Sequence, residues 1–245
     1  MSRGTAVVTG ASSGIGAATA VALAEAGFEV VVGARRLEQL QAVAEPIGAR
    51  ALPLDVTDDE SVAAFVAEVP ECSVLVNNAG GAFGWARIED ADLDDWQAMY
   101  DTNVLGTLRM TKALLPALRA SGDGLVVVIG SIAGTEAYVG GAGYNAAKFA
   151  ERAFTEALRK ELFTEPVRVT EIEPGIVETD FSLVRFGGDA DRAAKVYEGV
   201  DALTAQDVAE CVAFVATRPS RLNVDQMVVL ARDQLGATQL NRRNP

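Results

Sequence analysis

Within its first sixteen residues the chain passes from a short apolar stretch, residues 6–8, into Thr9-Gly-Ala-Ser-Ser-Gly-Ile-Gly16 and then an alanine-rich segment. Glycines so placed let a strand turn sharply into a helix, which few folds require at their start. The same rhythm continues downstream. Apolar runs at 29–32, 51–54, 74–76, 125–129, 168–172 and 227–230 read as further strands. Helical patterns over 14–26, 37–45, 58–69, 95–120, 144–162 and 205–217 separate them. Most of the strands are short and apolar, which suits a sheet covered on both faces. Strand and helix in alternation, joined by right-handed crossovers, predict an α/β fold: a Rossmann-type, doubly wound parallel sheet with helices on both faces. A length of 245 residues fits one such domain, 1–245, and no repeat or low-complexity linker divides it.

Two segments break the rhythm. Residues 177–201 are irregular, glycine-containing and mixed in polarity, and a long insertion after a late strand is a candidate substrate lid. Residues 231–245 form a polar tail that either lacks order or packs on a neighbouring subunit.

Composition removes several classes of function. The chain has no histidine, so a Ser-His-Asp triad, a histidine base and a histidine zinc site are all excluded. Cys72 and Cys211 alone support neither a structural zinc nor a disulfide framework, and read as apolar fillers of a cytoplasmic protein. The formal charge of −13 opposes a nucleic-acid or anionic-membrane partner. Neither a signal peptide at Met1-Ser-Arg-Gly4 nor a membrane span is expected.

The glycine turn carries the first chemistry. Gly10, Gly14 and Gly16 let the backbone approach a pyrophosphate and aim a helix N-terminus at it, although their spacing is not G-x-G-x-x-G. The end of the second strand then reads Gly33-Ala34-Arg35-Arg36, with Arg35 19 residues beyond Gly16. A carboxylate there would bind the ribose of NAD; a guanidinium fork suits the 2′-phosphate of NADP. The other reading of Arg35 and Arg36 is a solvent-facing pair at a helix start.

Ser131, Tyr144 and Lys148 carry the second. Tyr144 and Lys148 lie four apart and share one helix face. An ammonium beside a phenol favours the phenolate, and bringing a phenol from ~10 to about 7 takes roughly 4 kcal/mol. Ser131, at the end of the 125–129 run, is placed to hydrogen-bond the oxygen of a reacting carbonyl or alcohol. With a dinucleotide beside them, these residues read as a hydride-transfer site.

In order and spacing the chain resembles the short-chain dehydrogenase/reductase family along nearly its whole length. The match takes in Thr9 to Gly16, Asp55-Val56, Asn77-Asn-Ala-Gly80, Asn103, Ser131, Tyr144-x-x-x-Lys148 and Pro174-Gly175. The resemblance implies a cofactor site of Gly10, Ala11, Ser12, Ser13, Gly14, Ile15, Gly16, Arg35, Arg36, Asp55, Val56, Asn78, Ala79, Gly80, Tyr144, Lys148, Pro174, Gly175, Val177 and Thr179. It makes Tyr144 the general acid or base, Ser131 the orienter of the substrate oxygen, and Lys148 the group that tunes Tyr144 and holds the nicotinamide ribose. Asn103 would support a proton-relay water near Lys148. A homotetramer or homodimer is implied too, formed through the helices at 95–120 and 144–162.

A narrower likeness, to NADP-dependent 3-hydroxy acid dehydrogenases of serine and L-allo-threonine type, lies in Val169 to Val177, Phe181 to Phe186 and Ala202 to Val208. It implies NADP as cofactor and a small hydroxy acid or its carbonyl partner as substrate. Arg185, in the candidate lid, is the group to pair a substrate carboxylate; its other reading is a solvent-facing charge or an ion pair with Asp180 or Asp189. A reductase of larger ketones or aldehydes and a non-catalytic dinucleotide-binding regulator are the alternative functions.

Overall fold

A computed structural model describes residues 2–243. Its strands are β1 (Thr5–Thr9), β2 (Glu29–Ala34), β3 (Arg50–Pro53), β4 (Val74–Asn77), β5 (Gly124–Ile129), β6 (Val167–Pro174), β7 (Val177–Glu178), β8 (Leu203–Thr204) and β9 (Gln226–Val229). The helices are α1 (Gly14–Glu25), α2 (Leu37–Ala44), α3 (Asp59–Ala67), α4 (Leu93–Tyr100), α5 (Gly106–Ala120), α6 (Ala142–Glu161), α7 (Phe181–Arg185), α8 (Ala190–Tyr197) and α9 (Ala205–Ala216).

Seven strands form one sheet in the order β3-β2-β1-β4-β5-β6-β9, all pairs parallel. Successive residues of the central strands feed opposite faces, and both faces are covered. Val8, Val32, Val76 and Val127 join Leu23, Leu40, Val208 and Val212 of α1, α2 and α9 in one core. Val7, Val31, Leu75 and Val126 join Phe65, Leu114 and Leu158 of α3, α5 and α6 in the other. This is the doubly wound α/β architecture that the alternation predicts. The strand order reverses between β1 and β4, so a crevice opens outside their carboxyl ends, at Thr9 and Asn77.

Three local expectations are corrected. Residues 95–120 are not one helix: α4 and α5 are joined by a π-helical turn, Asp101–Leu105. Inside that turn the buried Asn103 side chain donates to Met99 O at 2.6 Å, an acceptor that a regular helix would use otherwise, and to Gly81 O of the loop after β4 at 3.0 Å. Residues 177–201 are not irregular but hold α7 and α8, two helices too short for periodicity to reveal. Gly187 and Gly188, both at positive φ, break the chain between them, and Asp189 accepts from Arg192 N at the start of α8.

The tail packs on its own chain as far as it is described. Gln234 Oε1 accepts from Ile176 N, Arg242 donates to the Val196 carbonyl in α8, and Arg243 pairs with Asp233 at 2.6 Å. The last two residues of the tail lie outside the described ones. Among the described residues no helix is long and apolar enough to cross a membrane.

Candidate active site

Backbone geometry at the glycine turn is what a pyrophosphate cradle needs. Gly10 and Gly14 take φ of +67° and +56°, open to glycine at little cost. A Cβ on Gly16 would lie 2.4 Å from Asn78 Nδ2 and 2.6 Å from Gly10 O, so the first turn of α1 packs flush on the chain before it. Asn78 fixes the loop by donating to Thr9 O at 2.8 Å and Gly10 O at 3.2 Å. The Thr9 hydroxyl accepts from both Asn78 N and Ala79 N at 3.0 Å. Ala11 is fully buried and Ile15 packs on the core behind the turn.

Of the two arginines it is Arg36 that reaches the turn. Its guanidinium donates to Ser12 Oγ at 3.0 Å and Ser13 Oγ at 2.8 Å. Arg35 lies beyond, within Coulombic range of Asp55. Burial raises the Asp55 carboxyl, but Thr57, which donates to it through both backbone and hydroxyl, and then Arg35 hold it below its usual value. Val56 is buried against Gly106, and Gly80 leaves room for Asn103 Oδ1, 2.5 Å from where a Cβ would stand. The chain after β6 returns to the crevice: Thr179 lies 3.5 Å from a Cβ built on Gly14, which brings the start of the 177–201 segment against the glycine turn. Pro174 ends β6, Gly175 N donates to Val229 O, and Val177 is buried at the start of the 177–201 segment.

Ser131, Tyr144 and Lys148 converge. Ser131 caps a short 3-10 turn just past β5, its Oγ accepting from Ala133 N at 3.1 Å. Tyr144, in the first turn of α6, is buried, and its ring meets Phe181 edge-on with centroids 5.4 Å apart. Lys148 Nζ lies 5.9 Å from the Tyr144 ring centre and donates to Ile129 O at 2.9 Å. Burial pushes the Tyr144 phenol up; the Lys148 ammonium and Ser131 hydroxyl pull it back, while Tyr138 and Glu151 add to the rise. The net direction is upward, so these groups alone leave the phenol protonated near neutral pH rather than drawing it toward 7. Burial disfavours the Lys148 ammonium, yet Glu151 overrides it and the proton is held more tightly than in ordinary lysine.

Asn103 does not point a free side chain at Lys148. Its amide is satisfied by Met99 O, Gly81 O and Gly81 N. Its own carbonyl accepts from Thr107 Oγ1 at 2.8 Å, and that hydroxyl also lies 3.2 Å from Glu151 Oε1. Glu151 is a site residue that the sequence reading missed, although its place three residues after Lys148 puts both on one helix face.

Arg185 is neither solvent-facing nor paired with Asp180 or Asp189. It is 7% exposed and donates to Gly84 O at 3.2 Å and Tyr138 Oη at 3.0 Å. Its guanidinium lies 4.3 Å from the Trp85 ring centre and 5.8 Å from that of Tyr144. Arg185, Trp85 and Tyr144 line a small cleft of about 30 Å³ that also touches Trp96 and Met99. Trp85 and Tyr138 carried no signal in the sequence, since each lies in a loop without periodicity.

Comparison with known proteins bears on this geometry. The family description "short chain dehydrogenase" matches residues 4–186. An uncharacterized oxidoreductase of Mycobacterium tuberculosis is 58% identical over 96% of this chain and 93% of its own length. The NADP-dependent 3-hydroxy acid dehydrogenase of Schizosaccharomyces pombe is 39% identical, covering 98% of this chain and 96% of that protein. A solved closed form of serine dehydrogenase complexed with NADP+ superposes with a TM-score of 0.92 at 37% identity, over 98% of this chain and 100% of that one.

Proposed function

The chain belongs to the short chain dehydrogenase family of oxidoreductases, enzymes that act on CH–OH groups, and from that premise we propose that it moves a hydride between NADP(H) and a small hydroxy acid or its carbonyl partner. The observation that carries this reading is Arg185: a buried guanidinium with no carboxylate partner among the described residues, lying over the Tyr144 ring. A buried cation without a counter-charge is costly, and a substrate anion would supply one.

The residues present fit the cofactor. Gly10 to Gly16 form the open backbone for a pyrophosphate, and Arg36, reinforced by Arg35, faces the place for a 2′-phosphate. Asp55 and Val56 border the adenine side, Asn78, Ala79 and Gly80 the crevice wall, and Pro174 to Thr179 the lid side. The bound nicotinamide supplies or accepts the hydride. Tyr144, held protonated by its burial, donates its proton to the carbonyl oxygen in reduction; in oxidation its phenolate takes the proton of the hydroxyl. Ser131 orients that oxygen by hydrogen bonding, and the charge of Lys148 stabilises a phenolate when it forms. The Trp85 and Tyr138 rings lie within 6 Å of the Arg185 guanidinium, and the side chain itself is buried, which strengthens its contact with an anion. The free thiols of Cys72 and Cys211 agree with a cytoplasmic enzyme, and exposed Leu108 on α5 and Phe149 on α6 fit pairing with a second copy.

The test is a substrate panel of hydroxy acids, semialdehydes and matched neutral alcohols and aldehydes, assayed with NADP(H) and NAD(H). The reading expects turnover with NADP(H) and a preference for the anionic member of each pair. A preference for large neutral ketones would favour a general carbonyl reductase, and no turnover with any member would favour a binding protein.

A further inference from the structure

Beside the reacting groups lies a buried cluster of which the reaction as described uses only Lys148. Lys148 Nζ is 2.5 Å from Glu151 Oε2, and both side chains are almost wholly buried, at 6% and 2% exposure. The second Glu151 oxygen faces the Thr107 hydroxyl at 3.2 Å. A carboxylate here is held by two partners at once, one on its own helix and one on α5.

We propose that Glu151 is a positioning residue of the reaction: it holds the Lys148 ammonium against the Ile129 carbonyl and screens its charge from Tyr144, so that the site keeps a proton on the phenol and favours carbonyl reduction near neutral pH. The geometry requires each part. Lys148 donates to Ile129 O at 2.9 Å and to Glu151, and those two contacts fix the end of a side chain that otherwise has four rotatable bonds. A lone ammonium near a phenol draws it toward the phenolate, whereas an ion pair presents a much weaker field. Glu151 opposes the Lys148 effect on Tyr144, in agreement with that screening.

The other charges facing the pair come from every neighbouring element. Arg152 shares α6 and lies 3.8 Å from Glu173 of β6. Gln226 of β9 bonds Glu173 at 2.6 Å. Glu171 of β6 sits under Gly130, 2.6 Å from where a Cβ would be, with burial pushing its carboxyl up to about 7. Tyr138 and Ser131 face Tyr144 from the substrate side. Burial pushes the Glu151 carboxyl up while Lys148 and then the Thr107 hydroxyl pull it back, and it is Glu151 that lies in contact with the ammonium.

The inference rests on Tyr144 being the proton donor, and the experiment separates the two. The pH dependence of kcat/KM for alcohol oxidation is measured for the parent protein, Glu151→Gln, Thr107→Val and Tyr144→Phe. Gln keeps an acceptor for Lys148 but no charge, so the limb on which activity rises with pH should move down by about one unit. Thr107→Val, which removes the hydroxyl at Glu151 Oε1, should move it the same way by less. A limb that stays in place or moves up in Glu151→Gln, including a uniform loss of rate at every pH, overturns the proposal and leaves Glu151 a packing residue. Thermal midpoints and NADPH binding confirm that each variant is folded. Should Glu151→Gln fail to fold, the direction of the Thr107→Val shift decides. Retained activity in Tyr144→Phe would instead overturn the reading of Tyr144.

Discussion

Arg185 stacks on Trp85, its guanidinium carbon 4.3 Å from the ring centre, while its N–H groups reach Gly84 O and Tyr138 Oη. The two hydrogen bonds use Nε and Nη1, and Nη2 has no hydrogen-bond partner among the described residues, so the guanidinium keeps donors with which to meet an anion. Arg185→Ala should therefore raise KM for a hydroxy acid by roughly 10–100-fold, the equivalent of ~1.5–3 kcal/mol for a charged hydrogen bond. A neutral alcohol should change by no more than a few-fold. Steady-state kinetics on a matched pair decides, and equal losses on both would make Arg185 a strut of the lid.

Cofactor preference should follow the second strand. Arg36 is already bound to Ser12 and Ser13, and Arg35 lies next along the chain. Arg36→Ala should weaken NADPH by about 10-fold or more, through loss of ~1.5–3 kcal/mol, and leave NADH nearly unchanged. Arg35→Ala should act in the same direction. Fluorescence titrations of both cofactors check this, and tighter NADH than NADPH in the parent protein would contradict it.

Much of this was legible in the sequence, and the exceptions have physical causes. The strands announced themselves because a parallel sheet buried on both faces demands apolar runs. Gly10, Gly14 and Gly16, with Tyr144 and Lys148 at helical spacing, fixed the two ends of the crevice. Two features hid. The break at Asp101–Leu105 depends on the Asn103 side chain bonding Met99 and Gly81, a tertiary contact that periodicity cannot register. Helices α7 and α8 are too short to print a 3.6-residue period and are held by their packing and by the tail. The aromatic partners of Arg185 come from two loops far apart in the chain, so only the fold brings them together.

Glu171 gives the fold a pH dependence of definite sign. Burial first, then Glu173 and Glu151, raise its carboxyl from 4.5 to about 7. A folded value above the unfolded one contributes stability that is fully present below about pH 4.5 and is lost as pH rises through about 7. Glu171→Gln should accordingly raise the stability at pH 8 by on the order of 3 kcal/mol, seen as a higher thermal midpoint, and do little at pH 4.5. Thermal melts across that range check it, and an equal effect at both ends would assign the change to packing.

Proton transfer by Tyr144 tests the account most directly. Tyr144→Phe keeps the ring against Phe181 and Lys148 and removes the hydroxyl that carries the transferable proton. With NADPH and whichever substrate the panel identifies, kcat should fall by ~10²–10⁴-fold while NADPH binding is preserved. A kcat within a few-fold of the parent protein would contradict the mechanism.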